Sequence, residues 1–145
     1  MDLSQAAQES LEAFQEAAGA REVTLTGEIA PGLTLPASRE HMVQLLSILL
    51  DNGVKYTEPG GEIALTLTQE GSRLRLRVTN GPTQVPAGDL SRLFDRFYRA
   101  DPARSQKSGG YGIGLSAAQA IVQAWHGTIA AEAAGENTMV FTVTF

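Results

Sequence analysis

The sequence predicts an α+β domain in which helices cover one face of a mixed β-sheet. Segments with apolar residues at helical spacing alternate with pairs of shorter segments in which apolar and polar residues alternate. Glycine-containing turns separate the members of two such pairs, as in β-hairpins. The 145 residues, 43% of them apolar, are enough for one domain with a single core.

The first half of the chain contains two helices and a strand. The predicted elements are, in order, the helix 3–18, the strand 22–29, a short extended piece at 33–35 and the helix 39–56. Apolar residues recur at helical spacing in both helices, and the strand alternates. Gly19 ends the first helix, and Ser38 is a good N-cap for the second. The run 59–61 (Pro-Gly-Gly) stops the chain soon after the second helix.

The second half contains two hairpins separated by a long loop and a helix. The predicted elements are the strands 62–69 and 73–80, a loop at 81–112 with a helical piece at 90–97, the helix 113–126, and the strands 128–134 and 138–145. Turns at 70–72 and 135–137 join the strands of each hairpin. Gly127 closes the last helix. Trp125 continues the apolar stripe of that helix, so we expect it in the core.

Composition excludes several classes of protein. The absence of cysteine excludes a disulfide scaffold, a thiolate metal site and a cysteine nucleophile. Two histidines, His41 and His126, are too few for a histidine-rich metal site, and we expect His41 at the surface. A net charge of −5 with mixed signs disfavours nucleic acid as a partner. No apolar run approaches the ~20 residues of a membrane span, and no signal peptide opens the chain.

The predicted helix 39–56 has two different faces. Its polar face carries the side chains of Gln44, Ser47, Asp51, Asn52 and Lys55. One interpretation is a solvated surface on which Asp51 and Lys55 form an i, i+4 ion pair. However, asparagine is a poor helix former, and an amide oxygen followed three residues later by an ammonium can hold a cation and an adjacent phosphate. The segment 49–57 is therefore a candidate polyphosphate site.

A glycine-rich run, 109–115, leads directly into the helix 113–126. Glycines let backbone N–H groups approach a ligand closely, and a helix N-terminus favours an anion. Such a run alone is a weak signal, because a hinge without a ligand has the same composition. No strand directly precedes it, as a Rossmann fingerprint requires, and the chain has no P-loop.

Together, the motifs resemble those of the ATP-binding catalytic domain of bacterial sensor histidine kinases, in the superfamily of gyrase, Hsp90, histidine kinase and MutL ATPases. Asn52 with 55–57 (Lys-Tyr-Thr) is similar to the N box of that family. The run 93–99 (LFDRFYR) is similar to its F box, and 110–115 to its second glycine box. The FDRFYR string is the most specific of these, because it is not expected in the gyrase or Hsp90 branches.

This resemblance implies a Bergerat-type two-layer α/β sandwich of about five strands and three helices, spanning 1–145 as a single domain. ATP would lie between two helices and a flexible lid at about 82–109. Asn52 would bind Mg²⁺, Lys55 would reach the phosphates, and Tyr56 would lie near the base. The remaining nucleotide contacts implied are the backbone around Gly110, Gly112, Gly114 and Leu115, and the lid residues Arg99, Arg104 and Lys107. Phe94 and Phe97 would anchor the lid.

Two positions depart from the family pattern. The family usually has an aspartate that accepts the adenine amino proton, followed by glycines, where this chain has Asn80-Gly81-Pro82. An asparagine can still accept through its amide oxygen but is neutral, so we expect adenine recognition to survive in a weaker form. Ser47 occupies a position that is usually asparagine in kinases and glutamate in the hydrolases. Because serine without a neighbouring base is a poor general base, this disfavours a gyrase-type ATPase.

The function implied is transfer of the γ-phosphoryl group of ATP to a histidine on a dimerisation domain that this chain lacks. Neither histidine of the chain lies in a phosphoacceptor motif, and the first helix would lead from that missing domain. The implied partners are ATP, the phosphoacceptor domain and, indirectly, a response regulator, with no nucleic acid. The implied setting is the cytoplasmic part of an inner-membrane-anchored sensor, with membrane contact only through missing N-terminal segments.

Two alternatives remain open. The fold could serve as a degenerate nucleotide-binding or non-enzymatic protein-interaction module, because the first glycine box is eroded. A serine-type anti-sigma kinase of the same superfamily is the other alternative, and the FDRFYR string disfavours it.

Overall fold

A computed structural model describes residues 1–96 and 114–145 of the chain. The helices are α1 (Leu3–Ala13), α2 (Gln15–Ala20), α3 (Arg39–Tyr56), a 3₁₀ helix (Leu90–Phe94) and α4 (Gly114–Ala124). The strands are β1 (Thr24–Ile29), β2 (Glu62–Glu70), β3 (Arg73–Gly81), β4 (Thr128–Ala133) and β5 (Met139–Thr144).

The five strands form one mixed sheet in the order β1-β2-β3-β5-β4. β1 and β2 are parallel, since the chain returns between them through α3, whereas the other neighbours are antiparallel. Two of the antiparallel pairs, β2–β3 and β4–β5, are the hairpins that the sequence predicts.

The core lies between the sheet and a layer of helices. Alternate residues of β2, β3 and β5 face the helices and are buried, which matches the period of two in the sequence. α3 contributes a buried arc of seven residues: Met42, Leu45, Leu46, Leu49, Leu50, Gly53 and Val54. The opposite face of the sheet carries residues such as Arg77 and Glu132, which are exposed. The predicted α+β class with a mixed sheet and one helical layer is therefore confirmed. Among the described residues, no helix is both long and apolar enough to cross a membrane.

The predicted first helix, 3–18, is wrong as a single element. The chain turns at Phe14 and continues as α2. This turn lets α2 pack beside β1. Ala18 is buried there, and the Gln15 Nε2 donates to the Leu25 carbonyl oxygen at 3.0 Å. A tertiary contact with β1 therefore determines where the first helix ends, which helical periodicity does not reveal.

Two other boundaries differ from prediction, and so does the burial of one side chain. The first strand begins at Thr24 rather than residue 22, because Glu22 has a φ of 59°, which no strand accommodates. The helical piece predicted at 90–97 is a 3₁₀ helix ending at Phe94, and residue 97 lies outside the described residues. Trp125, expected in the core, is only half-buried.

Two residues that follow α4, His126 and Gly127, end this helix. His126, rather than Gly127, takes the left-handed conformation, with a φ of 63°. The Gly127 N–H then donates to the Val122 carbonyl oxygen at 2.9 Å, as in a Schellman cap. Gly127 is needed for close approach, because a Cβ there would lie 2.7 Å from the Thr144 carbonyl oxygen and 2.7 Å from the Phe145 ring.

Gly127→Ala should therefore destabilise the protein by about 1–3 kcal/mol, because backbone and ring must move to make room for a methyl group. Gly19→Ala is the matched control, since Gly19 lies in α2 and a Cβ there meets nothing within 4 Å. It should stabilise by up to about 1 kcal/mol. Urea denaturation measures both effects, and an equal response of the two variants would contradict the crowding at Gly127.

Candidate functional site

α3 lies close to the sheet because one of its residues has no side chain. A Cβ on Gly53 would lie 3.2 Å from the Ile63 Cδ1 on β2. This contact sets the rotation of α3, so the residues on its other side are turned away from the sheet. Ile48 is one of these and packs, half-buried, against the core cluster.

α4 packs antiparallel to α3. At its N-terminus, a Cβ on Gly114 would be in van der Waals contact with the Ile48 Cγ2, at 3.8 Å. At its other end, the Trp125 Nε1 donates to the His41 Nδ1 at 3.0 Å, and the two rings are 5.8 Å apart. The first turn of α4 therefore lies beside the middle of α3, and its last turn lies beside the start of α3.

This arrangement directs the positive end of α4 toward the last turns of α3. Asn52 and Lys55 follow Ile48 by four and seven residues, so they project within about 40° of the same direction. The N–H groups of the first turn of α4, beginning at Gly114, point along the helix axis toward this part of α3. A helix N-terminus that faces an amide and an ammonium is suited to bind an anion.

The side chains of Asn52 and Lys55 differ in the contacts that they make. Asn52 is half-buried, and no described residue forms a hydrogen bond with its side-chain amide. The Lys55 Nζ lies 3.0 Å from the Asp51 Oδ2, so the ion pair considered from the sequence is present. Such an exposed pair contributes at most about 1 kcal/mol, which leaves Lys55 free to turn toward a phosphate. The Arg21 guanidinium donates to the Lys55 carbonyl oxygen at 3.1 Å and so holds the last turn of α3.

Hydrogen bonds tie the end of β3 to the end of α3. The Asn80 Nδ2 donates to the Thr57 Oγ1 at 3.1 Å, and both residues are buried. The Thr83 Oγ1 donates to the Tyr56 carbonyl oxygen at 2.7 Å, and the Glu58 N–H donates to the Pro82 carbonyl oxygen at 2.9 Å. Asn80 therefore faces the helical layer at the C-terminal end of α3, beside the half-buried Tyr56.

The described part of the predicted lid, residues 82–96, is held against the domain. Thr83 and Phe94 are buried, and the Phe94 ring meets Phe141 edge to face with centroids 6.3 Å apart. The Ser91 N–H donates to the Asp89 carboxylate, which caps the 3₁₀ helix and lowers the pKa of that carboxyl. Burial of Phe94 agrees with the anchoring role expected of it.

The structure brings together some of the predicted site residues. Asn52, Lys55 and the Gly114 end of α4 share one region, and Leu115 is half-buried in the first turn of α4. Asn80 and Tyr56 lie at the adjoining end of α3. The predicted residues that lie outside the described ones are Phe97, Arg99, Arg104, Lys107, Gly110 and Gly112.

Sequence reasoning missed three contributors. Arg21, Thr83 and the His41–Trp125 pair hold the elements of the site in place, and none belongs to a motif. In the part of the chain that the structure describes, no three His, Cys, Asp or Glu side chains cluster to hold a metal ion. A cation at this site would therefore depend on a ligand such as the Asn52 amide oxygen together with oxygen atoms of a bound phosphate.

The sequence resembles those of known proteins. A family model described as histidine kinase-, DNA gyrase B-, and HSP90-like ATPase matches residues 37–145. The sensor protein CiaH of Streptococcus pneumoniae serotype 4 is 45% identical over 86 residues, which cover 59% of this chain and 19% of that protein. The signal transduction histidine-protein kinase BaeS of Escherichia coli K12 is 34% identical over 119 residues, which cover 82% of this chain and 26% of that protein. The chain thus spans about a fifth to a quarter of the length of these curated relatives.

Solved structures share the fold. The nucleotide-free catalytic domain of histidine kinase ThkA has a TM-score of 0.85 at 24% identity, with 100% of this chain and 92% of that chain covered. Full-length ShkA in complex with AMPPNP has a TM-score of 0.84 at 22% identity, with 99% of this chain and 30% of that chain covered. At these identities, the likeness establishes the fold.

The contact between Trp125 and His41 should contribute measurably to stability, because it joins opposite ends of α4 and α3. Trp125→Phe keeps an aromatic ring and removes the N–H donor, so it should cost about 0.5–1.5 kcal/mol. In a His41→Ala background the same change should cost less, since the acceptor is already gone. Urea denaturation of the two single variants and the double variant gives the coupling energy, and a value near zero would contradict the hydrogen bond.

Proposed function

Because the chain belongs to the family of histidine kinase-, DNA gyrase B- and HSP90-like ATPases, we propose that it binds Mg-ATP as the catalytic domain of a sensor histidine kinase. In the whole protein it transfers the γ-phosphoryl group to a histidine of a dimerisation domain. The observation that carries this proposal is the direction of α4, whose positive end points toward the part of α3 that bears Asn52 and Lys55.

Asn52 and Lys55 have distinct roles in the proposed site. The Asn52 amide makes no hydrogen bond with a described residue, so its oxygen is available to a hard cation. Magnesium supplies charge neutralisation and a bridge between phosphate oxygens when it is bound. Lys55 leaves its exposed pair with Asp51 to contact the phosphates, and the backbone N–H groups at Gly114 and Leu115 hold them from the other side.

The base lies at the other end of the proposed site. Tyr56 is fixed by the hydrogen bond from Thr83 to its carbonyl oxygen, and its half-buried ring packs near the base. Asn80, on the helix-facing side of β3, contacts the base edge. Toward the phosphates, Arg99 and Arg104 of the proposed lid at 82–109 and the backbone at Gly110 and Gly112 complete the site.

The chemistry of the site favours phosphoryl transfer over hydrolysis. A hydrolase needs a base that removes a proton from water, and Ser47 has no proton affinity suited to that task at neutral pH. Phosphoryl transfer needs mainly positioning and neutralisation of charge, which an amide-bound cation, an ammonium and a helix N-terminus supply. The acceptor histidine itself lies on the dimerisation domain.

The chain covers only part of the length of its relatives, so the remaining parts of the kinase and their roles are also a proposal. Residues 1–145 act as one catalytic domain, with α1 leading from the dimerisation domain. A response regulator takes the phosphoryl group from that domain, and segments outside this chain anchor the sensor in the inner membrane, with this domain in the cytoplasm.

Asn52→Ala should abolish Mg²⁺-dependent ATP binding, because it removes the only protein oxygen proposed for the cation. Gln44→Ala is the matched control, since it removes an exposed amide two turns earlier on the same helix and should leave affinity unchanged. Calorimetric titration with ATP, with and without Mg²⁺, measures both. Unaltered affinity in Asn52→Ala would remove this residue from the metal role.

The phosphotransfer proposal is tested by mixing the protein with the phosphoacceptor domain of its own kinase and γ-labelled ATP. We expect no label on the catalytic domain alone and an acid-labile label on the acceptor domain. A variant acceptor with glutamine in place of the histidine should stay unlabelled. A protein that binds ATP but labels no acceptor would instead favour a non-enzymatic nucleotide-binding module.

A further inference from the structure

A buried hydrogen bond between two side chains joins Asn80 to Thr57. Asn80 is 3% exposed and Thr57 is 0% exposed. The Asn80 Nδ2 donates to the Thr57 Oγ1, and no described residue donates to the Asn80 Oδ1. The Asn80 carboxamide therefore has an acceptor left over, to which a ligand can donate.

Neighbouring backbone restricts the position of Thr57. A Cβ on Gly61 would lie only 2.5 Å from the Thr57 Cγ2, and the Thr57 N–H donates to the Gly53 carbonyl oxygen at 3.0 Å. Backbone at Gly61 therefore crowds the Thr57 methyl group, and the helical hydrogen bond holds the Thr57 backbone at the end of α3. Both contacts restrict the position of the hydroxyl that meets Asn80.

The hydrogen bond between these two side chains can reverse its direction. A hydroxyl both donates and accepts, and a carboxamide carries a donor on one side and an acceptor on the other. With Nδ2 toward Thr57, Asn80 offers an acceptor to a ligand. Turned by about 180°, Asn80 accepts from the Thr57 hydroxyl and offers its Nδ2 as a donor. One hydrogen bond with Thr57 is kept in both states.

An ionised aspartate at this position would behave differently, because a carboxylate only accepts. It would pair with a 6-amino group and repel a 6-oxo group. We propose that Asn80, with Thr57 as its reversible partner, lets the base site accept 6-oxopurine nucleotides as well as 6-aminopurine nucleotides. This inference rests on the proposed nucleotide-binding function and specifies the substrate class of that site.

The first test uses the unaltered protein with Mg²⁺ and three triphosphates: ATP, ITP and purine riboside triphosphate, which has only hydrogen at position 6. We expect the dissociation constants of ATP and ITP to agree within about tenfold, because Asn80 makes one hydrogen bond with each. Both should bind about fivefold or more tightly than the purine riboside analogue, which has neither a donor nor an acceptor at position 6. This comparison does not depend on the folding of any variant.

The second test uses Asn80→Asp, with Thr57→Ser as the control that keeps the hydroxyl. Asn80→Asp should weaken ITP relative to ATP on the order of 10- to 100-fold, since two acceptors then face each other. Thr57→Ser should leave the ATP-to-ITP ratio as in the unaltered protein. Calorimetric titration gives each constant.

Two results would overturn the inference and can be told apart. If ATP binds but ITP binds more than about tenfold more weakly, or no better than the purine riboside analogue, the reversible pair has no role in recognition while the proposed function stands. If none of the three nucleotides binds, the proposed function fails and this inference fails with it.

Discussion

The close contact between α3 and the sheet at Gly53 is the constraint on which the rest of the structure depends. With only hydrogen at this position, the helix approaches β2 until Ile63 touches its backbone. The buried arc of α3 can then fill the space above β2 and β3, and its other side is turned toward α4. The proposed ligands on α3 are positioned by this rotation, since Asn52 immediately precedes Gly53 in the same turn.

α4 depends on α3 in turn. Ile48 and Gly114 bring the helices together at one end, and His41 and Trp125 join them at the other. Because both ends are held, the dipole of α4 has a defined direction relative to Asn52 and Lys55. The direction of this dipole at the proposed site is therefore a result of helix packing, and the charges of Asp51 and Lys55 partly cancel each other.

The proposed base end of the site is built on a different physical basis. There, buried hydrogen bonds from β3 and the segment after it hold the end of α3. A neutral asparagine makes such a region adaptable, whereas a carboxylate would fix its polarity. The two ends of the proposed site thus combine a fixed helix dipole with a side-chain pair that can change its direction.

Local pattern alone predicted a large part of this molecule. The bounds of α3 were predicted to the residue, because a Ser38 N-cap and an apolar arc at helical spacing act within one element. The two hairpins and the start of α4 followed from alternation and glycine turns in the same way.

Tertiary structure decided the features that require contact between distant residues. These are the turn at Phe14 where α2 meets β1, the half-exposed Trp125 on His41, and Asn80 on Thr57, 23 residues apart. Periodicity reports which face of an element is buried, but the partner that a side chain meets depends on how the elements are packed together.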